Sequence, residues 1–211
     1  MTFVIMGPQG CGKGTQAKML AEEFGVEHVS IGDVLRREVS NKTPIGVKIG
    51  PYMREGKLIP AELNKEVVKN LLEKNKNVLL DGFPRSLDQA KFLLSITNLK
   101  AVIVINISEE ESLRRLSKRV ICTATGKMFI EGHVPQSERE KCLSLGGEIV
   151  KRDDDRPEAI SKRLEIYREI TSPVISFFKE NNVEVIEVDG ERDVESLFNI
   201  IKEKAGHLFS S

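Results

Sequence analysis

Gly7-Pro8-Gln9-Gly10-Cys11-Gly12-Lys13-Gly14-Thr15 places four glycines, a lysine and a hydroxyl in nine residues. Glycines without Cβ let a backbone turn its N–H groups onto an anion. The loop follows an apolar run, Thr2–Met6, and precedes a helical pattern, so its far end is also a helix N-terminus, where the backbone dipole favours negative charge. Lys13 then reaches the outer phosphates of a polyphosphate, and Thr15 lies near oxygens that carry a metal. Residues Gly10 to Thr15 form the expected phosphate cradle, with Cys11 as a small filler. Such a set arises by chance in on the order of one in 10⁵ chains of this length, which favours the functional reading over a plain glycine turn.

A second group of residues suits phosphate chemistry. Arg36 stands in Ser30-Ile31-Gly32-Asp33-Val34-Leu35-Arg36, and Arg85 in Val78-Leu79-Leu80-Asp81-Gly82-Phe83-Pro84-Arg85. Arg115 and Arg119 follow at i, i+4, and Arg152 and Arg163 lie further on. A guanidinium stays charged and binds two oxygens at once. Any one of these arginines alone is more often part of a solvated helix face. The acidic Asp81, at the C-terminal end of a strand pattern, lies where ligands bind in open α/β sheets.

The elements that must hold these residues are legible from periodicity. Thr2–Met6, Glu27–Ser30, Asn77–Leu80, Ala101–Ile107 and Val183–Val188 read as strands. Lys13–Phe24, Ala61–Glu73, Ser86–Leu94, Glu109–Lys118, Pro157–Asn181 and Val194–Lys204 read as helices. Continuous apolar strands separated by helices predict an α/β fold, a doubly wound parallel sheet of about five strands with helices on both faces. Two stretches interrupt the alternation. Gly32–Gly56 carries Pro44, Gly46, Gly50 and Pro51 and reads as short helices without a strand, and Cys122–Asp155 is polar and irregular. The organisation expected is a core of residues 1–30, 60–118 and 156–211, with inserts at 31–59 and 119–155. Long inserts of this kind are often lids.

Gly14, between Lys13 and Thr15, departs from the general Walker A form. This Gly-Lys-Gly-Thr variant resembles nucleoside monophosphate kinases, and over nearly its whole length the sequence resembles the adenylate kinases. That resemblance implies reversible phosphoryl transfer between ATP and AMP. It makes 31–59 the monophosphate-binding insert and 119–155 a lid. It assigns Ile31, Arg36, Lys57, Leu58, Ile59, Gly82, Arg85, Gln89, Arg152 and Arg163 to AMP. Arg115, Arg119, Met128, Phe129 and Arg192 go to ATP beside the phosphate loop. Lys13, Arg36, Arg85, Arg119, Arg152 and Arg163 surround the transferring group, and Asp33 and Asp81 hold Mg²⁺ through water. Asp153–Asp155 have lid-latching and water-holding roles. Ile31 departs from the family, where a Thr or Ser contacts the acceptor base. Gln89, an amide that both donates and accepts, argues for adenine.

Family members often carry two Cys-x-x-Cys knuckles in the lid. Here Cys122 pairs in spacing with Thr125 and Cys142 with Leu145, and His133 is off the usual spacing. Two thiolates do not close a tetrahedral zinc site, so a zinc-free lid held by apolar packing and hydrogen bonds is expected. Mg²⁺ with ATP is the expected cofactor.

The bulk composition narrows the alternatives. Lys+Arg and Asp+Glu both number 32 in 211 residues, which gives no basic excess for nucleic acid. No apolar run of membrane length occurs. Three cysteines and no export signal suggest a cytoplasmic protein without a disulfide framework, and a monomer is expected. Two rivals stay open at this level. One is a sister kinase acting on UMP, CMP or GMP, and the other is a non-kinase nucleotide-binding protein with slow ATP hydrolysis.

Overall fold

The computed structural model describes residues 1–209, with Asp153 through its backbone only. Its centre is a five-stranded parallel sheet of β1 (Thr2–Met6), β2 (Glu27–Ser30), β3 (Val78–Asp81), β4 (Leu99–Asn106) and β8 (Glu184–Asp189), in the order β2-β3-β1-β4-β8. The five expected strands are all present, each within a few residues of its expected ends.

Side-chain alternation in β1 explains the two-sided core. Phe3 and Ile5 point to one face, where α1 (Lys13–Phe24) and α10 (Val194–Phe209) bring Leu20, Ile201 and Phe209. Phe209 stacks on Phe3 at 4.1 Å and on Phe24 at 4.6 Å between ring centroids. Val4 and Met6 point to the other face, among Leu35, Ile49, Val68, Phe83, Leu93 and Phe178. These come from α2 (Ile31–Ser40), α3 (Pro44–Arg54), α4 (Ala61–Lys74), α5 (Leu87–Ile96), α9 (Pro173–Glu180) and the loop after β3. With both faces covered, the central strands have no polar side to show, which is why they read as unbroken apolar runs.

The chain passes from β1 to β2 on one side of the sheet, returns to β3, and then crosses to β4 on the other side. Strand order therefore reverses around β1, and its C-terminal end opens onto a crevice. Register places Ser30, Asp81 and Ile5 level at that end. Three hydroxyl caps start helices beside the crevice. Ser30 accepts from Asp33 N–H at 3.3 Å, Ser86 from Gln89 N–H at 3.4 Å, and Ser108 from Glu111 N–H at 3.2 Å. The last cap begins α6 (Glu109–Ser117).

Residues 119–155 are more ordered than their composition suggests. They form an antiparallel sheet of β6 (Met128–Ile130), β5 (Arg119–Cys122) and β7 (Ile149–Val150), a helix α7 (Gln136–Ser144), and a 3₁₀ turn at Asp153–Asp155. Cys122 and Cys142 are joined as a disulfide, which corrects the expectation of a lid held by apolar packing and hydrogen bonds. The physical reason is a thin interior. Met128 and Ile130 are both exposed, and Cys142 is the buried residue of α7.

The expected helix over Pro157–Asn181 is also corrected. It runs as α8 (Pro157–Ile166), a π-helical turn at Tyr167–Thr171, and α9. Pro173 has no N–H to offer the preceding turn, and Ser172 N–H bonds instead to the Tyr167 carbonyl, five residues back, at 2.7 Å. Among the described residues no helix is long and apolar enough to cross a membrane.

Candidate active site

A cleft of about 1110 Å³ lies across the C-terminal end of the central sheet, between the phosphate loop, the α2 side and residues 119–130. The phosphate loop forms its floor. Gly7 has φ +145°, and a Cβ there would meet the Ile105 carbonyl oxygen at 2.3 Å, so only glycine lets the loop leave β1 against β4. Gly12 caps α1 in the left-handed region at φ +93°, which turns the loop into the helix. Lys13 Nζ donates to the carbonyls of Gly7 at 2.7 Å and Pro8 at 2.8 Å, so its ammonium lies over the loop. Gly10, Gly12, Lys13, Gly14 and Thr15 line the cleft. Cys11 is fully buried beneath it, 3.5 Å from Lys13 Nζ.

Arginines form the walls. Arg36, Arg85, Arg115, Arg119, Arg152, Arg163 and Arg192 all border the same cleft although 156 positions separate the first from the last. Arg119 pairs with both oxygens of Asp155, at 2.7 and 2.5 Å. Arg163 donates to the same carboxylate at 3.0 Å and to the Asp154 carbonyl at 2.9 Å. Arg152 binds Asp154 through Nε at 2.8 Å. Asp155, only 1 % exposed, thus fixes two arginines, and its neighbour Asp154 fixes a third.

The charges tune one another. Burial pushes the Arg163 guanidinium down to about 10, with repulsion from Arg119 and Arg152 offset by Asp154, and it remains a cation at neutral pH. Burial alone would raise the Asp154 carboxyl, but the charge and hydrogen bonds of Arg152, with Arg163 and Arg36, hold it well below the usual carboxylate range. Burial, and Arg152 nearby, push the Arg36 guanidinium downward, partly offset by its ion pair with Asp33.

The structure brings together most of the residues singled out by sequence, and the rest fall outside the cleft wall. Met128, Phe129, Gly82, Asp33 and Asp81 line it with the loop and the arginines. Ile31 is 2 % exposed in the core, and Gln89, equally buried, accepts the Arg85 N–H on Oε1 at 2.7 Å. Lys57 pairs with Glu55 at 2.5 Å, and Lys57, Leu58 and Ile59 lie off the lining. Four-residue spacing does not put either of two arginine pairs on one helix. Arg115 and Arg119 do not share a helix, because α6 ends at Ser117 and Arg119 opens β5. Arg85 and Gln89 do not share one either, because Arg85 precedes the Ser86 cap.

Some participants had little or no sequence signal. Glu111 orients Arg115 at 2.5 Å, a pair its i, i+4 spacing does advertise. Arg115 also reaches the Gly190 carbonyl at 2.9 Å, which ties α6 to the loop after β8. His28 Nε2 lies 3.6 Å from Asp81, and Tyr167 and Thr171 line the cleft from the π turn.

A parallel sheet with this loop at its reversal point and a wall of cations is the architecture of an α/β protein built to bind phosphate. The family model described as adenylate kinase matches residues 5–183. The chain is 40 % identical to the adenylate kinase of Petrotoga mobilis over 211 residues, covering 96 % of this chain and 98 % of that one. It is 40 % identical to the adenylate kinase of Methanocella arvoryzae, covering 96 % and 97 %, and 37 % identical to that of Archaeoglobus fulgidus, covering 96 % of each. The chain belongs to the adenylate kinase family.

Proposed function

We propose that this chain moves a phosphoryl group reversibly between ATP and AMP, with the residues of the cleft divided between positioning and charge neutralisation. The observation that carries this reading is the convergence of Lys13, Arg36, Arg85, Arg119, Arg152 and Arg163 on one cleft beside the phosphate loop. Phosphoryl transfer asks for in-line placement and stabilised charge rather than covalent help.

In this scheme the loop N–H groups from Gly10 to Thr15 and Lys13 hold the donor phosphates. Arg36 and Arg85 hold the AMP phosphate. Arg119, Arg152 and Arg163, kept in place by Asp154 and Asp155, face the charge that develops as one P–O bond breaks and another forms. The attacking oxygen of AMP is already ionised, so no side chain need remove a proton. Arg115, Met128, Phe129 and Arg192 lie on the donor side.

The donor set also suits magnesium. Among the described residues no three carboxylate, thiol or imidazole groups converge on one point, so the protein alone builds no closed cage. The oxygens of Asp33, Asp81 and Thr15, all on the cleft, match a hard cation that keeps its waters and arrives with phosphate. When bound, Mg²⁺ neutralises donor phosphate charge. The sulfurs of Cys122 and Cys142 are bonded to each other and offer no thiolate to a metal.

Residues 31–59 and 119–155 act as the two closing elements, excluding water from the transfer. One chain supplies every residue in the scheme, so a monomer suffices. The test is to mix the protein with Mg²⁺ and ATP and each of AMP, UMP, CMP and GMP, and to follow diphosphates by chromatography. AMP-selective formation of ADP is expected. Preference for another monophosphate would overturn the acceptor assignment, and hydrolysis of ATP without transfer would overturn the kinase reading.

A further inference from the structure

Arg85 is held at its backbone as well as at its side chain. Its N–H donates to Gln89 Oε1 at 2.7 Å, its carbonyl accepts from Thr171 Oγ1 at 2.9 Å, and its Nε donates to the Gly82 carbonyl at 2.8 Å. Three separate segments therefore fix one arginine: its own loop, α5, and the π turn. Both side-chain partners are buried, Gln89 at 2 % and Thr171 at 7 % exposed, so water does not readily replace either bond.

Thr171 is the last residue of the π turn. In an α-helix each residue advances by about 100°, and the wide turn adds one residue to the circuit, which re-phases everything that follows. The turn is closed by the Ser172 N–H to Tyr167 carbonyl bond, and both Tyr167 and Thr171 border the cleft. Arg163 lies on α8, which runs directly into this turn. One continuous helical segment thus carries a cleft arginine at one end and secures the peptide of Arg85 at the other.

We infer that Thr171 is a positioning residue for monophosphate binding, acting through the Arg85 carbonyl, and that the π turn exists to present it. The inference rests on the reading of Arg85 as a ligand of the AMP phosphate. Losing the hydroxyl leaves the Arg85 backbone held by one bond instead of two, and a guanidinium carried on a looser backbone spends less time in its binding orientation.

The test compares Thr171→Val, Thr171→Ser and Arg85→Gln by steady-state kinetics with both substrates varied, alongside thermal melting. Thr171→Val is nearly isosteric and removes only the hydroxyl. It is expected to raise KM for AMP roughly three- to tenfold, the span of one buried hydrogen bond. KM for ATP should stay within about twofold on the same scale. Thr171→Ser, which keeps the hydroxyl, should restore KM for AMP, and Thr171→Ala replaces Val if that variant does not fold. Equal shifts in both KM values, no shift, or a serine variant that behaves like valine would overturn the inference, even with a lowered melting temperature. Arg85→Gln separates the two layers. If it leaves KM for AMP unchanged, the reading of Arg85 fails. If it raises KM for AMP while Thr171→Val does not, the positioning role alone fails.

Discussion

The phosphate loop and the proposed lid, residues 119–155, solve the same problem, holding cations over a cleft, by different means. The loop is fastened to a sheet whose central strands are buried on both faces, and Lys13 sits over backbone carbonyls that cannot move far. The lid has strands of two to four residues and little interior of its own. It substitutes a disulfide across 20 residues and a carboxylate lattice at its root. Small units that cannot bury enough apolar surface need such staples. Order in the loop thus comes from a shared core, and order in the lid from a few discrete links that single changes can cut.

The largest effect should come from cutting the link between the 119–155 segment and the core helix α8. Asp155→Ala leaves Arg119 and Arg163 without their shared, buried partner, and breaking a buried pair from one side costs roughly 3–5 kcal/mol. Urea unfolding should show that loss, and turnover should fall with it. Lys13→Met addresses the loop alone. It should lower kcat by about 10²–10³-fold, the cost of one preorganised charge-stabilising donor, with little change in the urea midpoint. A comparable drop in stability would mean that the loop is less independent of its lysine than its carbonyl contacts imply.

Replacing Cys122 and Cys142 together with serine addresses the lid alone. Chain-entropy arguments put a cross-link of this span at about 3 kcal/mol. Hydrogen exchange should therefore accelerate in β5, β6 and α7 while β1 and β4 keep their protection. A chelator should leave the wild-type lid unchanged, and a reductant should reproduce the double variant. Uniform acceleration across both sheets would erase the contrast between loop and lid.

Acidification should give the most gradual effect. Asp154 has its pKa lowered by Arg152, so its stabilisation is complete above the ordinary carboxylate value near 3.8 and is lost as pH falls toward the depressed folded value. A melting-temperature profile between pH 5 and about 2 should show stability declining there, and Asp154→Asn should flatten that part of the curve.

The same contrast governs what the sequence discloses. Phe3–Met6 and Ala101–Ile105 are unbroken apolar runs because both of their faces are covered, and a reader of the sequence sees them for that reason. The phosphate loop is legible because its glycines answer a steric demand, which Gly7 against the Ile105 carbonyl makes plain. The lid strands are too short for periodicity to show and have exposed residues where a core would sit. The Cys122–Cys142 bond follows from three-dimensional proximity that spacing does not encode. The separation of Arg115 from Arg119 was hidden because i, i+4 spacing looks helical whether or not the helix has ended. Ser172-Pro173 marks a break in the long helix, but nothing local says that the break is a π turn aimed at the Arg85 carbonyl.

The cleft has a further consequence at long range. Twelve of its lining residues are Lys or Arg and three are Asp, in a chain whose net charge is zero. Part of the balancing negative charge stands just behind that wall, on Glu111, Asp154 and Asp155, and the rest is spread over the other surfaces, so the cleft is a positive patch on an electrically neutral molecule. An approaching nucleotide is drawn toward this patch. Because such steering fades beyond a Debye length of about 8 Å at physiological salt, added salt should slow capture of nucleotides before it disturbs their handling once bound.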